Sequence, residues 1–338
     1  MIWLDNSRIV AIFGVVFLHT ANVIIDGSSI GSEHWWIRNF CDTFGRWCVP
    51  VFVMVSGALL LDPNKKEDLE TFYKKRISRI LAPIVFWSLF FLLWGMLKGI
   101  VKGSPLSLAD LLELLISGTP YYHMWFLYMI IMLYLFTPFF RKIIANSSRR
   151  DIAIVTVLTF LMGALNTVYF YARPFSHGST LFINRFLSFI PFFFLGYLVR
   201  TGERDVSKSI LWSVFLLSSF LTALGYYVEV ANKGLDAGLY FHSYLSITII
   251  LMSMSIVYLL KSWTSPIISE KFTSSLSLLT FGVYLIHPII LDTIQYFGFG
   301  LLDLHPAVSI PVIAIIAFGF SVIASWVIYR VPYLKRVV

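Results

Sequence analysis

Hydrophobic residues along this chain gather into ten long runs, each close to the length that crosses a bilayer core of about 30 Å, with short polar stretches between them. The runs predict spans at Ile9–Ile25, Phe44–Leu61, Ile80–Val101, Met124–Phe140, Ile152–Ala172, Phe182–Val199, Ile210–Val230, Tyr240–Leu260, Leu276–Phe297 and Ala307–Tyr329. Turn and breaker signals such as Asp62-Pro63-Asn64, Lys102-Gly103-Ser104-Pro105 and Asn232-Lys233-Gly234 separate them. A segment inside hydrocarbon finds no water for its backbone groups, so each span must satisfy them internally as a helix. The pattern therefore predicts an all-α fold: a polytopic membrane helix bundle of about ten transmembrane helices, in one domain over residues 1–338. The first run lacks a basic leader and a small-residue cleavage site, so it is expected to stay as a span.

Composition supports this reading and removes others. At 58% hydrophobic and 13% charged, the chain is far more apolar than a soluble domain. A net charge of +8 raises the question of nucleic acid, but the basic residues fall in short clusters between apolar runs, where cytoplasmic loops carry them. With the N-terminus inside, only Arg38, Arg46, Lys98, Lys102, Arg173, Arg185 and Lys233 of the 26 Lys and Arg lie in outer segments. Both termini are then cytoplasmic. The segment from Lys65 to Arg79 sets Leu69, Phe72 and Tyr73 among many charges and is expected to lie along the inner surface before the third span enters. Cys41 and Cys48 sit seven apart with no CxxC and no histidine cluster at zinc spacing, so neither a disulfide nor a metal is assigned to them.

Against this background a few ionisable residues stand out. The first run carries Arg8 at its mouth and His19 well inside, eleven residues on. In a helix that spacing leaves them about 20° apart in azimuth and about 16 Å apart along the axis, on one face. A charged or titratable group at that depth is costly unless it faces a protein interior or a wet cavity, so the pair is a functional candidate. Taken singly, either residue is as readily an interfacial anchor or an interhelical hydrogen-bonding group. Arg76 and Arg79, three apart in Lys74-Lys75-Arg76-Ile77-Ser78-Arg79, point the same way on a helix and suit bidentate capture of phosphate. From spacing alone a plain inner-surface basic cluster fits them better. His287 lies deep in the ninth run, where an unpaired imidazole is costly. Arg185 faces the same argument in weaker form, because it can snorkel to the interface. Tyr121 and Tyr122 read first as an aromatic belt. Pro50 and Ser56-Gly57 in the second run predict a bend and a close helix contact.

Together these stretches resemble the acyltransferase family 3 of bacterial membrane acyltransferases, in which an Arg-X10-His motif and an RxxR motif recur. Arg8 with His19 and Arg76-Ile77-Ser78-Arg79 match those motifs, and four further stretches agree in order. They are Pro50 to Gly57, His123-Met124-Trp125-Phe126-Leu127, Pro191 to Tyr197, and Ser277 through Tyr284 to His287. The match runs the length of the chain and is most like stand-alone members that acetylate surface polysaccharides or their lipid-linked precursors. The chain is read as lacking the extra outer helix and the appended extracytoplasmic esterase-like domain of larger members.

The resemblance implies a multi-pass O-acyltransferase of the bacterial cytoplasmic membrane that moves an acyl group, most often acetyl, from cytoplasmic acyl-CoA to a sugar hydroxyl. His19 would be the general base, since imidazole has a suitable pKa to take a hydroxyl proton. Arg8, Arg76 and Arg79 would hold the nucleotide phosphates of the donor, with Arg8 also counted beside His19 and His287 among the catalytic residues. His287 and Tyr284 would orient the base or the acceptor. His123 and Trp125 would line an outer vestibule for the acceptor, with Arg185 on the same side. The donor acyl-CoA is the expected cofactor, with no metal. Expected partners are acyl-CoA, a glycan or lipid-linked sugar and the lipid bilayer, without nucleic acid and with a homo-oligomer left open. No Gly-x-Ser-x-Gly elbow and no cysteine placed beside a histidine points to a covalent intermediate. The rival class is a secondary transporter or exporter of a glycan precursor or small metabolite, since many spans with polar residues at mid-depth also describe carriers. The two halves show no convincing repeat, which counts against it.

Overall fold

The computed structural model describes residues 1–24, 28–65, 67–171, 182–203, 205–298 and 304–338. The expected span ends at Ile25 and Ala172, and the basic residues Lys66, Arg173 and Arg204, lie outside them. The described chain is helical throughout, with no strand among the described residues. Nine helices or stacked helix pairs within it are long and apolar enough to cross a membrane.

The first crossing, α1 (Ile2–Ile24), begins seven residues before its apolar run, so Asp5 and Arg8 belong to its opening turns. The second crossing is two helices, α2 (Glu33–Gly45) and α3 (Cys48–Leu60), broken at Arg46-Trp47. Pro50 falls in the first turn of α3, where a missing N–H costs little, so the break precedes it rather than bending a continuous helix there. The third crossing corrects an expectation. Lys65 to Arg79 does not form a separate surface helix, because α4 runs unbroken from Leu69 to Val101, capped by the Asp68 carboxylate accepting from Thr71 N–H. At 33 residues α4 exceeds any bilayer core, so its first turns carry Arg76 and Arg79 beyond the apolar zone.

A short helix, α5 (Leu108–Ile116), closed by a Ser107–Asp110 capping box, follows α4; the apolar runs do not predict it. Then come α6 (Trp125–Ala145) and α7 (Arg149–Tyr171). The sixth expected span is a 3-10 run, Phe182–Phe189, followed by α8 (Ile190–Thr201), with Pro191 in the first turn of α8. Next is α9 (Lys208–Lys233). The eighth crossing is again a pair, α10 (Leu235–His242) and α11 (Ile247–Lys261). The chain ends with α12 (Glu270–Phe297) and α13 (Pro306–Arg330).

Counting the 3-10 run and α8 as one more crossing makes ten, which agrees with the two ends of the helical chain lying at one face of the bundle. Asn6 there donates to the carbonyls of Trp263 and Ser265, and the end of α13 lies beside the start of α12, Ser325 donating 3.3 Å to the carbonyl of Leu279; the last residues turn back between the helices, where Trp87 donates 2.7 Å to the carbonyl of Val337. The same face gathers Arg8, Arg76, Arg79, Arg141 and Arg200 and is called the basic end below. Arg141 donates to Leu60 O, and Arg200 donates to Ala58 O and pairs with Asp62 at 3.2 Å. The core is tightest where α3 meets α8: a Cβ at Gly57 would strike the Phe193 carbonyl, and one at Gly196 the Met54 carbonyl. Ser56-Gly57 thus makes the close contact its small residues predict.

Candidate active site

Helices α1, α3, α4, α6 and α12 line a cavity of about 370 Å³ that reaches the basic end. Arg8, Arg76 and Arg79 line that end, and His19, His123, Trp125 and Tyr284 line the rest with mostly apolar neighbours. Each arginine is delivered by a helix start, where a chain emerging from the apolar zone can bear charge. Of the three, Arg8 alone has a carboxylate within ion-pair distance among the described residues. Its Nη1 lies 3.7 Å from Asp5, and Ser277 Oγ, 3.5 Å from Arg8, donates 2.7 Å to the same carboxylate. Arg76 lies over the Phe72 ring at 5.6 Å, and its Nε is buried without a hydrogen-bond partner among the described residues. Arg141 packs on the same ring at 4.9 Å, so the mouth holds more positive charge than it balances. Glu67 offsets part of it; the hydrogen bond from Lys75 holds its carboxyl below the ordinary range, so it stays ionised.

His19 sits eleven residues along α1 from Arg8, about 16 Å at the helical rise, which spans the length of the cavity. It is five residues, about 7 to 8 Å, from the far end of α1. Its ring makes no hydrogen bond among the described residues, so both nitrogens are available. The His287 ring stacks on it, centroids 5.4 Å apart and planes 22° from parallel. Stacked rings present faces rather than edges, so His287 steadies His19 by packing and not by a hydrogen bond. His287 Nδ1 is 3.1 Å from the Val283 carbonyl; a carbonyl only accepts, so the proton is on Nδ1 and Nε2 is left as a buried acceptor without a partner among the described residues.

His123 departs from its expected place. It does not stand in an open outer vestibule but is 2% exposed, wedged between Phe91, Tyr284 and His287, with both ring nitrogens unpartnered among the described residues. The Tyr284 hydroxyl donates 2.7 Å to its backbone carbonyl. Trp125 does line the cavity, with Arg185 5.5 Å over its ring and Tyr244 against it. Arg185 itself does not reach the cavity wall. So the structure brings together Arg8, Arg76, Arg79, His19, His123, Trp125 and Tyr284 around one space, sets His287 directly behind, and leaves Arg185 one ring away.

Four participants are given no role at the site by the sequence reading. Ser277 and Asp5 fix Arg8, yet a serine and an aspartate near a span start carry no signal of their own. Tyr244 lines the cavity beyond a helix break that the apolar runs hide. Tyr122, which reads as a belt residue from sequence, rests its ring on His19 with centroids 4.8 Å apart. The two cysteines are free, and Cys48 is buried in the cavity wall against Gly14.

Comparison with known proteins gives one match: the sequence model of the family described as "Acyltransferase domain" aligns with residues 1–330. Searches of curated proteins and of solved structures return no match to the chain.

Proposed function

The chain belongs to the acyltransferase-domain family and is a multi-pass membrane acyltransferase, and from that premise we propose that it moves an acyl group, acetyl in the first instance, from cytoplasmic acyl-CoA to a sugar hydroxyl. The acceptor is a surface polysaccharide or its lipid-linked precursor, and the membrane is the bacterial cytoplasmic one. One observation carries the reading: a single cavity joins under-compensated guanidiniums at one end to a half-buried imidazole with free nitrogens at the other.

Acyl-CoA fits that shape. Its phosphates need forked, permanently charged donors, which Arg76, Arg79 and Arg8 supply. Its slender pantetheine arm needs a mostly apolar tube, and its thioester then lies beside His19. A sugar hydroxyl near its normal pKa attacks a thioester slowly, and a positioned base accelerates the attack by about 10²- to 10⁴-fold. In the transfer the hydroxyl oxygen bonds to the acyl carbon, the carbon–sulfur bond breaks, and the hydroxyl proton passes to His19 and on to the departing thiolate. Acyl ester and free CoA thiol result, and no electron acceptor is required. His287 and Tyr284 hold His19 and His123 in place, and Trp125 offers an aromatic surface toward the acceptor. The family match favours this reading over a carrier.

The test is His19→Gln in purified protein and in cells, read by calorimetric binding of acetyl-CoA and by transfer of labelled acetyl to cell-surface carbohydrate. Glutamine keeps hydrogen bonding and bulk but takes no proton at neutral pH. Donor binding is expected to persist while transfer falls by at least about 10²-fold. A His19→Gln protein that transfers at the wild-type rate at saturating donor removes His19 as the base and makes His287 the next candidate.

A further inference from the structure

On the side of His19 away from the arginines, the imidazole meets the ring of Tyr122. Tyr122 packs on His19 at 4.8 Å and is itself 41% exposed, and its hydroxyl makes no hydrogen bond among the described residues. Its neighbour is held quite differently. The Tyr121 hydroxyl donates to Asp292, and the same carboxylate accepts from Trp94 Nε1 at 2.7 Å and Lys98 Nζ at 2.8 Å. Lys98 also reaches the Tyr121 hydroxyl at 2.9 Å, and the Tyr121 ring stacks on Phe91 at 4.7 Å. Three donors converging on one carboxylate lock the segment that carries Tyr122, while leaving the Tyr122 hydroxyl uncommitted among the described residues. An immobile support under an exposed aromatic ring with a free hydroxyl, in contact with a base, is the arrangement of a binding subsite rather than of a membrane anchor.

Resting on the acyl-CoA reading above, we propose that Tyr122 is the acceptor subsite: a sugar ring stacks on its exposed face, and its hydroxyl bonds a sugar oxygen adjacent to the hydroxyl presented to His19. An aromatic face suits the apolar C–H face of a pyranose, and a free phenol both donates to and accepts from a neighbouring hydroxyl. Donor and acceptor then reach His19 from opposite ends of the bundle. The Asp292 cluster is the support, held by Lys98, whose side chain is 35% exposed.

The experiment has two arms. In a protein whose Cys41 and Cys48 are replaced by alanine, Tyr122→Cys is exposed in sealed vesicles to a membrane-impermeant maleimide from either side. Labelling is expected only from the end opposite the arginines. In the second arm, labelled-acetyl incorporation into cell-surface carbohydrate is compared for Tyr122→Phe and Tyr122→Trp. Loss of one hydrogen bond is expected to lower transfer by Tyr122→Phe roughly five- to tenfold at limiting acceptor. Tyr122→Trp, which keeps a ring and a donor, is expected to retain more, and acetyl-CoA affinity should match wild type in both. Tyr122→Phe transferring like wild type, or labelling of the Tyr122→Cys protein only from the arginine end, overturns the proposal. Because labelling needs no donor, wild-type protein that fails to bind acetyl-CoA would sink the donor reading and leave the subsite to be judged by its own arm.

Discussion

At the scale of single residues, the site is a matter of which charges are left over. Arg8 has Asp5 and Ser277, whereas Arg76 and Arg79 face the mouth with no carboxylate at ion-pair distance among the described residues, Glu67 acting on Arg76 from further off. Replacing both by alanine should therefore weaken acetyl-CoA binding in calorimetry by more than about tenfold, since each charge-assisted hydrogen bond contributes roughly 1.5 to 3 kcal/mol. Lysine at both positions should restore only part, because a point charge does not reproduce the fork. Unchanged affinity in the folded double-alanine protein would return the pair to a topology signal. Much of this site is legible in the sequence, because helical spacing alone puts Arg8 and His19 on one face and Arg76 and Arg79 on another. What is not legible depends on contacts between distant helices. No local pattern says that the ring of Tyr122 comes to rest on His19, that His123 is buried beneath His287, or that Asp292 gathers Trp94, Lys98 and Tyr121.

At the scale of elements, the apolar runs locate the crossings well and their interruptions poorly. Hydropathy reports where lipid or core surrounds the chain, and it is blind to whether hydrogen bonding continues through Arg46-Trp47 or lapses at Ser243 to Ser246, since both sides stay apolar. The same blindness makes Lys65 to Arg79 look like a separate surface helix, when charge periodicity merely changes along one continuous α4. Small residues give the better structural signal. Gly57 and Gly196 let the backbones of α3 and α8 approach until each would-be Cβ meets a carbonyl of the other helix. Gly196→Ala should therefore destabilise the protein by about 1 to 3 kcal/mol, the usual cost of forcing atoms into a packed interior. Gly319 lies inside α13 with nothing near its would-be Cβ, so Gly319→Ala should be neutral or slightly stabilising. Thermal denaturation of the two variants in one detergent compares them directly. Equal midpoints would mean that α3 and α8 are not in close contact.

At the scale of the whole molecule, the 3-10 run and α8 decide the topology. Nine long helices alone would leave the termini on opposite sides of the membrane, yet the first turns of α1 and the last turns of α13 lie at the same end, Asn6 beside Ser265 and Ser325 beside Leu279 near the start of α12. Residues 182–201 must therefore complete a tenth crossing, and Arg200 at its end pairs with Asp62 among the other basic-end groups. The excess of Lys and Arg at that end predicts that it faces the cytoplasm, the side from which the proposed acyl-CoA donor would enter. Two exposed positions test this together. Lys142, in the last turn of α6, belongs to the basic end, and Glu113, on α5, belongs to the opposite one. With the native cysteines replaced, Glu113→Cys in intact cells should react with a membrane-impermeant maleimide, and Lys142→Cys should react only after the membrane is opened. The reverse pattern would turn the donor mouth outward, away from acyl-CoA, and remove the proposed donor whatever the geometry of Arg8, Arg76 and Arg79. Labelling of both positions in intact cells would instead put them on the same side of the membrane, which requires an even number of crossings between them and removes α6 as a crossing.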